Sequence, residues 1–257
     1  MVQESRKKEI LKILDEHESL SVQELEYRFK VSQMTIRRDL TDLETQGYLI
    51  RKYGGAVKSE AVDSLFSFNK RLEENGRQKE KICRIASSFI EDDDVIFIDC
   101  GTTLFRLSHY IQNKTRLRVI TNSLPVVSEL INYSNINITF IGGDVVGDRK
   151  ASYGDTAERL IGEYHADKAF IGADGVSLSK GLSSYDEKEA RITRKMAENA
   201  DKVFLLCDSS KIEKNSFYRF APVSLINVLI TERKISGEET SRYRDNDISI
   251  ITKTEEE

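Results

Sequence analysis

Two arginines stand side by side in the stretch MTIRRDL, which runs from Met34 to Leu40. Their guanidinium groups can hold phosphates or form paired hydrogen bonds with the edge of a guanine base. They can also form exposed ion pairs with nearby acids, which is the commoner role of isolated surface arginines. The neighbouring sequence must therefore decide between a nucleic-acid contact and a solvated surface.

A helix from Gln33 to about Gln46, capped by Ser32 and closed by Gly47, would carry both arginines. At roughly 100° per residue, its apolar side chains fall together on the core face: Ile36, Leu40 and Leu43. The opposite face and one flank carry side chains suited to contacts in the groove of a nucleic-acid duplex: Gln33, Met34, Arg37, Arg38, Thr41 and Thr45. The wheel places Asp39 and Asp42 on the other flank.

The flanking sequence is typical of a winged helix-turn-helix. Ser21 and Glu24 form a capping box for a second helix, VQELEYRF, and a tight turn separates it from the helix with the arginines. The stretch YLIRKYGGAV then predicts a hairpin that turns at Gly54-Gly55. The whole chain has a net charge of -4, but residues 28–58 hold seven Lys or Arg and three acids. Local positive charge of this kind favours binding to a polyanion.

These features predict a major-groove contact, in which Arg reads guanine edges or holds phosphates, Gln reads adenine edges, and Thr or Met touches a thymine methyl. Arg51 and Lys52 of the hairpin can hold backbone phosphates or enter a minor groove. The residues predicted to contact DNA are Ser32, Gln33, Met34, Thr35, Arg37, Arg38, Thr41, Arg51, Lys52 and Tyr53. A protein-interaction module is the alternative, and the basic face argues against it.

The pattern changes after the first domain, at 1–58, and a polar connector, at 59–76. Apolar strands alternate with helical segments from residue 77 to 257, which predicts an α/β domain with a mostly parallel sheet. The strands end in polar loops, namely DCGTT, ITNS, FIGGD, IGADG and CDSSK. Because the carboxyl ends of parallel strands share one rim, these loops predict a ligand site.

The loop after the first of these strands carries Asp99, Gly101, Thr102 and Thr103 and leads into a helix, which favours an anion such as phosphate. Together with Asp174 and Lys211 on the same rim, it suits a small polyhydroxy anion.

On these motifs the chain resembles the DeoR family of bacterial transcription regulators over nearly its full length. The similarity lies in VSQMTIRRDLTDLETQGYLIRKYGGAV and in EKICRIA, FIDCGTT, VITNS, FIGGDV, DKAFIGADGVS, KEARITRKM and LLCDSSK. It implies a sensor domain resembling ribose-5-phosphate isomerase and the CoA transferases, and a phosphorylated sugar or related metabolite as effector. It also implies a repressor of sugar uptake and catabolism that binds operator DNA as a dimer or tetramer.

The resemblance adds further effector-binding positions to the rim. The complete set is Asp99, Gly101, Thr102, Thr103, Asn122, Gly142, Gly143, Asp174, Glu189 and Lys211. Three residues depart from the family pattern. Tyr53 stands where His is more frequent, Thr193 where Lys is common, and Cys100 where Ser or Ala is more frequent.

An enzyme on the same fold, a sugar-phosphate isomerase or deaminase, is the alternative function. It would need a general base, for which Asp99, Asp174 or Glu189 could serve, but no His lies in the rim loops. The scattered Cys and His residues predict neither a metal site nor a cofactor. Without a signal peptide or a long apolar run, we expect a cytoplasmic, non-membrane, non-enzymatic regulator.

Overall fold

The computed structural model describes residues 3–17, 19–45, 48–58, 68–147, 149–233 and 235–254. The chain separates into two compact units, Met1–Asn69 and Lys70–Glu257. This division falls within the stretch expected to be a connector. Residues 59–67 of that stretch lie outside the described residues, as do Gln46 and the expected helix-closing Gly47.

Between residues 3 and 58, in its described ranges, the first unit has three helices and three short strands, and we call it the DNA-binding unit after the role that the sequence predicts for it. They are α1 (Gln3–Glu16), β1 (Ser19–Ser21), α2 (Val22–Phe29), α3 (Gln33–Thr45), β2 (Leu49–Lys52) and β3 (Gly55–Lys58). The Ser21 hydroxyl accepts from the Glu24 amide while the Glu24 carboxylate accepts from the Ser21 amide, so the predicted capping box starts α2. The core includes the three predicted side chains of α3, Ile36, Leu40 and Leu43.

The hairpin of this unit turns one residue earlier than the sequence predicts. Lys52 pairs with Gly55, so the turn consists of Tyr53 and Gly54, and Gly54 adopts a φ of +83°. Gly55 belongs to β3 and packs closely on β1, where an added Cβ would lie 2.0 Å from the Leu20 carbonyl oxygen. The sequence did not reveal β1, which pairs with β3 and makes the sheet three-stranded.

The second unit, which we call the sensor unit after the role that the sequence predicts for it, combines helices and strands along the chain. They are α4 (Gly76–Ser87), β4 (Val95–Ile98), α5 (Thr102–Leu107), β5 (Leu117–Thr121), α6 (Leu124–Leu130), β6 (Ile136–Phe140), β7 (Asp144–Val146), β8 (Ala151–Tyr153), α7 (Asp155–Ile161), β9 (Ala166–Ile171), β10 (Gly175–Ser177), β11 (Gly181–Ser184), α8 (Glu187–Glu198), β12 (Ala200–Leu206), β13 (Tyr218–Ala221), β14 (Val228–Ile230), α9 (Gly237–Arg244) and β15 (Ser249–Ile251).

The main sheet of the sensor unit has the strand order β15-β14-β12-β9-β4-β5-β6, and each of these pairings is parallel. From β4 the chain proceeds outward through β5 and β6, and from β9 it proceeds the other way through β12 and β14. The order therefore reverses between β4 and β9. Loops at such a reversal point leave the sheet in opposite directions and open a crevice at the carboxyl ends of the strands.

Two smaller antiparallel sheets flank the main one, the hairpin β7-β8 and the three strands β10-β11-β13. Buried side chains cover both faces of the main sheet, which explains the continuous apolar strands of the sequence. The expected fold class, an N-terminal winged helix-turn-helix followed by a mostly parallel α/β domain, is confirmed. Among the described residues, no helix combines the length and the apolar character needed to cross a membrane.

Candidate functional site

Helix α3 turns its basic face away from the core of the DNA-binding unit. Arg37, Arg38 and Thr41 are exposed, and Met34 is 76% exposed. A single exposed methionine is common on protein surfaces, but here it places an apolar side chain beside two exposed guanidinium groups. The arrangement can offer guanidinium groups and an apolar contact to one ligand surface.

The cap of α3 uses several residues that the sequence assigns to DNA contacts. The Ser32 hydroxyl accepts from the Thr35 amide at 3.3 Å and lies 3.0 Å from the Thr35 hydroxyl. Gln33 donates from its amide nitrogen to a carboxylate oxygen of Glu26 on α2 at 2.8 Å. In this conformation these three side chains therefore satisfy each other or the preceding helix.

The position of Asp39 corrects the helical wheel, which predicts this residue on a flank. Its side chain is 1% exposed and accepts from Arg6 of α1, with nitrogen–oxygen distances of 2.5 and 3.1 Å. A buried carboxylate requires such a partner, and the 33-residue separation hides it from a local reading of the sequence. The next acid, Asp42, pairs with Lys7 of α1 at 2.8 Å. Both flank acids of α3 thus bind α1.

The wing, formed by β2 and β3, is fixed to α3 by Arg51. Its guanidinium donates to the Thr41 hydroxyl at 2.8 Å, and its backbone amide donates to the Glu44 carboxylate at 2.9 Å. Lys52 is exposed, and Tyr53 projects fully into solvent at the tip of the wing. The structure therefore brings the predicted wing residues and the predicted helix residues to neighbouring surfaces of one unit.

The sensor unit contains a cavity of about 310 Å³ at the carboxyl ends of β4, β9 and β12. It lies where the strand order reverses, as expected for an open parallel sheet. Six of the predicted effector residues line it: Gly101, Thr102, Thr103, Asp174, Glu189 and Lys211. Arg71, Lys79, Thr193 and Asp208 line it too, and were not among the predicted residues.

Lys79 provides much of the positive side of this cavity. It is 7% exposed, and its ammonium donates to the Thr102 hydroxyl at 3.0 Å and to the backbone carbonyl of Arg71. Burial and the nearby charge of Lys211 lower the pKa of Lys79 to about 8. Its signal was present in the sequence, because Lys79 begins an otherwise apolar stripe that continues through Ile82, Cys83 and Ala86 on α4.

Two carboxyl groups lie close together here: Glu189 lines the cavity, and Asp99 is buried next to lining residues. Asp99 lies beneath the cavity wall and accepts from the Thr193 hydroxyl and the Cys100 amide, both at 2.8 Å. Burial and the nearby charge of Glu189 raise the pKa of Asp99 to about 7. Burial also raises the pKa of Glu189, against the charge of Arg149, whose guanidinium lies 3.3 Å away.

Asp174 and Lys211 complete the cavity as a loose pair. The Lys211 ammonium lies 3.7 Å from the Asp174 carboxylate and donates to the Ala173 carbonyl at 3.1 Å. Although burial acts against it, the pKa of Asp174 is lowered by a hydrogen bond from the Tyr185 amide and by the charge of Lys211. Ammonium groups and carboxylates in one cavity can hold an anionic group and several hydroxyls of the same ligand.

Besides Asp99, three predicted effector residues, Asn122, Gly142 and Gly143, do not line this cavity. They follow β5 and β6, farther along the rim, where the β7-β8 hairpin covers the strand ends. The Asn122 amide nitrogen donates to the Ser152 carbonyl of that hairpin at 2.9 Å. At Gly143 an added Cβ would lie 2.4 Å from the Tyr153 carbonyl oxygen, so close packing accounts for this glycine. The loops after β5 and β6 therefore do not line this cavity.

Within the ranges given above, no group of three or more His, Cys, Asp or Glu residues is placed to hold a metal ion. Cys100 is buried, and its sulfur lies 3.1 Å from the Tyr153 hydroxyl.

A helix-turn-helix with an exposed basic helix, followed by an α/β unit with a polar cavity, defines the class of ligand-responsive DNA-binding regulators. Residues 6–62 match the family model of the DeoR-like helix-turn-helix domain, and residues 74–233 match that of the DeoR C terminal sensor domain. The chain belongs to the DeoR family of transcriptional regulators.

Its relatives include named regulators that it matches over nearly their full length. It is 34% identical to the HTH-type transcriptional repressor GlcR of Bacillus subtilis (strain 168), over 91% of this chain and 90% of that protein. It is 29% identical to the glycerol-3-phosphate regulon repressor of Escherichia coli (strain K12), over 90% of this chain and 92% of that protein. Among solved structures, it resembles ribose 5-phosphate isomerase A of Methanocaldococcus jannaschii with 21% identity and a TM-score of 0.40, over 54% of this chain and 55% of that one.

Proposed function

We propose that this regulator represses a sugar uptake or catabolism operon and leaves its operator when a phosphorylated sugar or related metabolite binds. The observation that carries the proposal is the cavity at the strand reversal, which Lys79 and Lys211 line together with the carboxylates of Asp174 and Glu189. A sugar phosphate offers the matching chemistry, an anion for the lysines and hydroxyls for the carboxylates. The naming of one relative after a glycerol-3-phosphate regulon supports a small phosphorylated effector.

Operator binding is assigned to α3 and the wing. Arg37 and Arg38 have the exposure and chemistry to reach base edges or phosphates, while Lys52 and Tyr53 extend from the wing tip. Binding as a dimer or tetramer belongs to the same proposal, because paired recognition helices fit two-fold operators. A cytoplasmic location is also part of this proposal, because such a repressor would meet its operator there.

The first experiment selects duplexes that bind the full-length protein from a genomic fragment library and measures their affinity by fluorescence anisotropy. A panel of sugar phosphates, with the parent sugars as controls, is then added to the complex. We expect at least one phosphorylated compound to release the DNA, its parent sugar to have no effect, and the same compound to raise the melting temperature.

The enzyme alternative is tested with the same panel. Turnover of a compound, followed by nuclear magnetic resonance, would favour an isomerase or deaminase over a repressor. Failure to select any duplex would overturn the DNA-binding half of the proposal, and failure of every panel member to alter DNA binding would overturn the effector half.

A further inference from the structure

The segment that enters the sensor unit is held by side chains of the cavity. The carbonyl of Arg71 accepts hydrogen bonds from the Lys79 ammonium and from the Thr102 hydroxyl, the latter at 3.3 Å. Lys79 also donates to the Thr102 hydroxyl at 3.0 Å, so these groups form a closed triangle. At the next residue, Arg106 donates to the Leu72 carbonyl at 2.8 Å. Donors on α4 and α5 thus hold two successive carbonyls.

Each corner of this triangle also belongs to the cavity, because Arg71, Lys79 and Thr102 all line it. Lys79 carries a buried charge beside a second cation, Lys211, and an anion placed between the two would relieve both its desolvation and its repulsion. Glu74 and Asp208 already favour its charged form in part. A bound anion would therefore compete with the Arg71 carbonyl for the hydrogen bonds of Lys79 and Thr102.

We propose that Lys79 and Thr102 are shared between an anionic effector and the Arg71 carbonyl, so that effector binding loosens the segment leading back to the DNA-binding unit. The inference rests on the proposed function and adds the residues through which binding would be transmitted. A hydroxyl has one proton to donate, so Thr102 cannot serve the carbonyl and the anion together. An oxyanion accepts charge-assisted hydrogen bonds that are stronger than those to a neutral carbonyl.

The test is hydrogen–deuterium exchange of the full-length protein with inorganic phosphate, followed by the sugar phosphate that raises the melting temperature most. The Glu74 amide is bonded to the Lys70 carbonyl at 3.0 Å, so peptides covering 70–76 report on the held segment. We expect their amides to exchange several-fold faster once the anion is bound. Peptides of β4 and β9, in the core of the sheet, should be unchanged or slower.

Two variants and one control test whether Lys79 and Thr102 serve both the anion and the Arg71 carbonyl or only one of them. Lys79→Met should weaken phosphate binding by about tenfold or more, as expected for the loss of a charge-assisted hydrogen bond. It should also speed the exchange of 70–76 without any ligand. Thr102→Val should do both to a smaller extent. Lys211→Met, whose ammonium reaches the Ala173 carbonyl instead, should weaken phosphate binding but leave the exchange of 70–76 unchanged in the free protein.

The results distinguish the two proposals. If anions raise the melting temperature while the exchange of 70–76 stays constant or slows, the effector site stands and the shared-donor proposal is wrong. If Lys79→Met or Thr102→Val changes only phosphate affinity, or only exchange, sharing is likewise overturned. If no anion of the panel shifts the melting temperature, the effector half of the proposed function fails and the shared-donor proposal fails with it.

Discussion

Each of the two units buries an aspartate, but the groups that donate hydrogen bonds to it differ. In the DNA-binding unit, Asp39 has a full counter-ion, because Arg6 donates to both of its oxygens. In the sensor unit, the hydrogen bonds of Asp99 come from neutral groups, the Thr193 hydroxyl and the amides of Cys100 and Gly172, and Glu189 lies close by. The first arrangement favours stability, whereas the second keeps a costly carboxyl beside a cavity.

The same contrast holds for the positive groups. Arg37 and Arg38 stand in solvent, where an unpaired charge costs little and a polyanion can reach it freely. Lys79 is buried at the cavity, where burial and the nearby charge of Lys211 disfavour its charged form. The first unit therefore carries its exposed charges at the surface, whereas the second holds its charges in a cavity, where we propose that the effector binds. The predictions below test this difference.

The largest effect should come from the double variant Arg37→Ala, Arg38→Ala. Each arginine contact to a base is worth about 1–3 kcal/mol, so operator affinity should fall by about 100-fold or more. Fluorescence anisotropy measures the loss, and circular dichroism checks the fold. The matched control, Arg116→Ala with Arg159→Ala, removes two exposed charges from the sensor unit and should retain most of the affinity. Equal losses in the two proteins would contradict a specific role for α3.

The buried ion pair predicts the next largest effect. Asp39→Asn removes the carboxylate that accepts two hydrogen bonds from the buried Arg6 guanidinium and should destabilise the DNA-binding unit by about 3–5 kcal/mol. Urea unfolding followed by circular dichroism measures this change. Asp42→Asn affects a pair that is more exposed and should cost at most about 1 kcal/mol. A mild effect at Asp39 would show that the pair is not essential to the unit.

Asp99→Asn should stabilise the sensor unit, in contrast to the destabilisation expected for Asp39→Asn. The pKa of Asp99 is about 7 in the folded chain against an ordinary value of 3.8, so the folded state binds the proton more tightly. The wild type therefore loses stability as pH rises between these two values and stays at the lower level above them. Asparagine cannot ionise, so the variant should melt roughly 5 °C higher than the wild type at about pH 8 and show little gain at about pH 4.

Differential scanning calorimetry across this pH range checks the prediction for Asp99. The matched control is Asp174→Asn, because the pKa of Asp174 is lowered and its ionised form is the favoured one. That variant should lose stability near neutral pH. A wild-type sensor unit whose stability rises from pH 4 to 7 in parallel with Asp99→Asn would contradict the contrast between the two buried aspartates.

The smallest effect is expected at the wing. Lys52→Ala removes one exposed charge, and it should weaken operator binding only several-fold and equally across operator sequences. The slope of log affinity against log salt should decrease by about one, as expected for one lost phosphate contact. If the loss depends on the base sequence instead, Lys52 reads the operator and the wing has a larger part than we assign to it.

Local signals in the sequence predicted much of the fold. Ser21 with Glu24 defines the start of α2, the apolar spacing of Ile36 and Leu40 defines the inner face of α3, and the alternation of strands and helices defines the parallel sheet. These features depend on neighbours within a few residues. Partners distant in the chain were not visible, which is why the burial of Asp39 against Arg6 and the pairing of β1 with β3 were missed.

The candidate site was predicted in part for the same reason. The chain order of the strands indicates that their loops share a rim, and the loops after β4, β9 and β12 do meet at the cavity. Strand order in space decides which loops are neighbours, and the β7-β8 hairpin closes the ends of β5 and β6. Lys79 lies on a helix rather than in a rim loop, so the polar loops did not indicate it.

The central claim is that effector binding in the sensor unit and operator binding by α3 oppose each other, and reciprocity gives its most direct test. Calorimetry measures the affinity of the sugar phosphate that releases the operator, both for the free protein and for the protein saturated with operator. Our account predicts weaker effector binding in the operator complex, by the same factor by which the effector weakens operator binding. Equal effector affinities in the two states would contradict it.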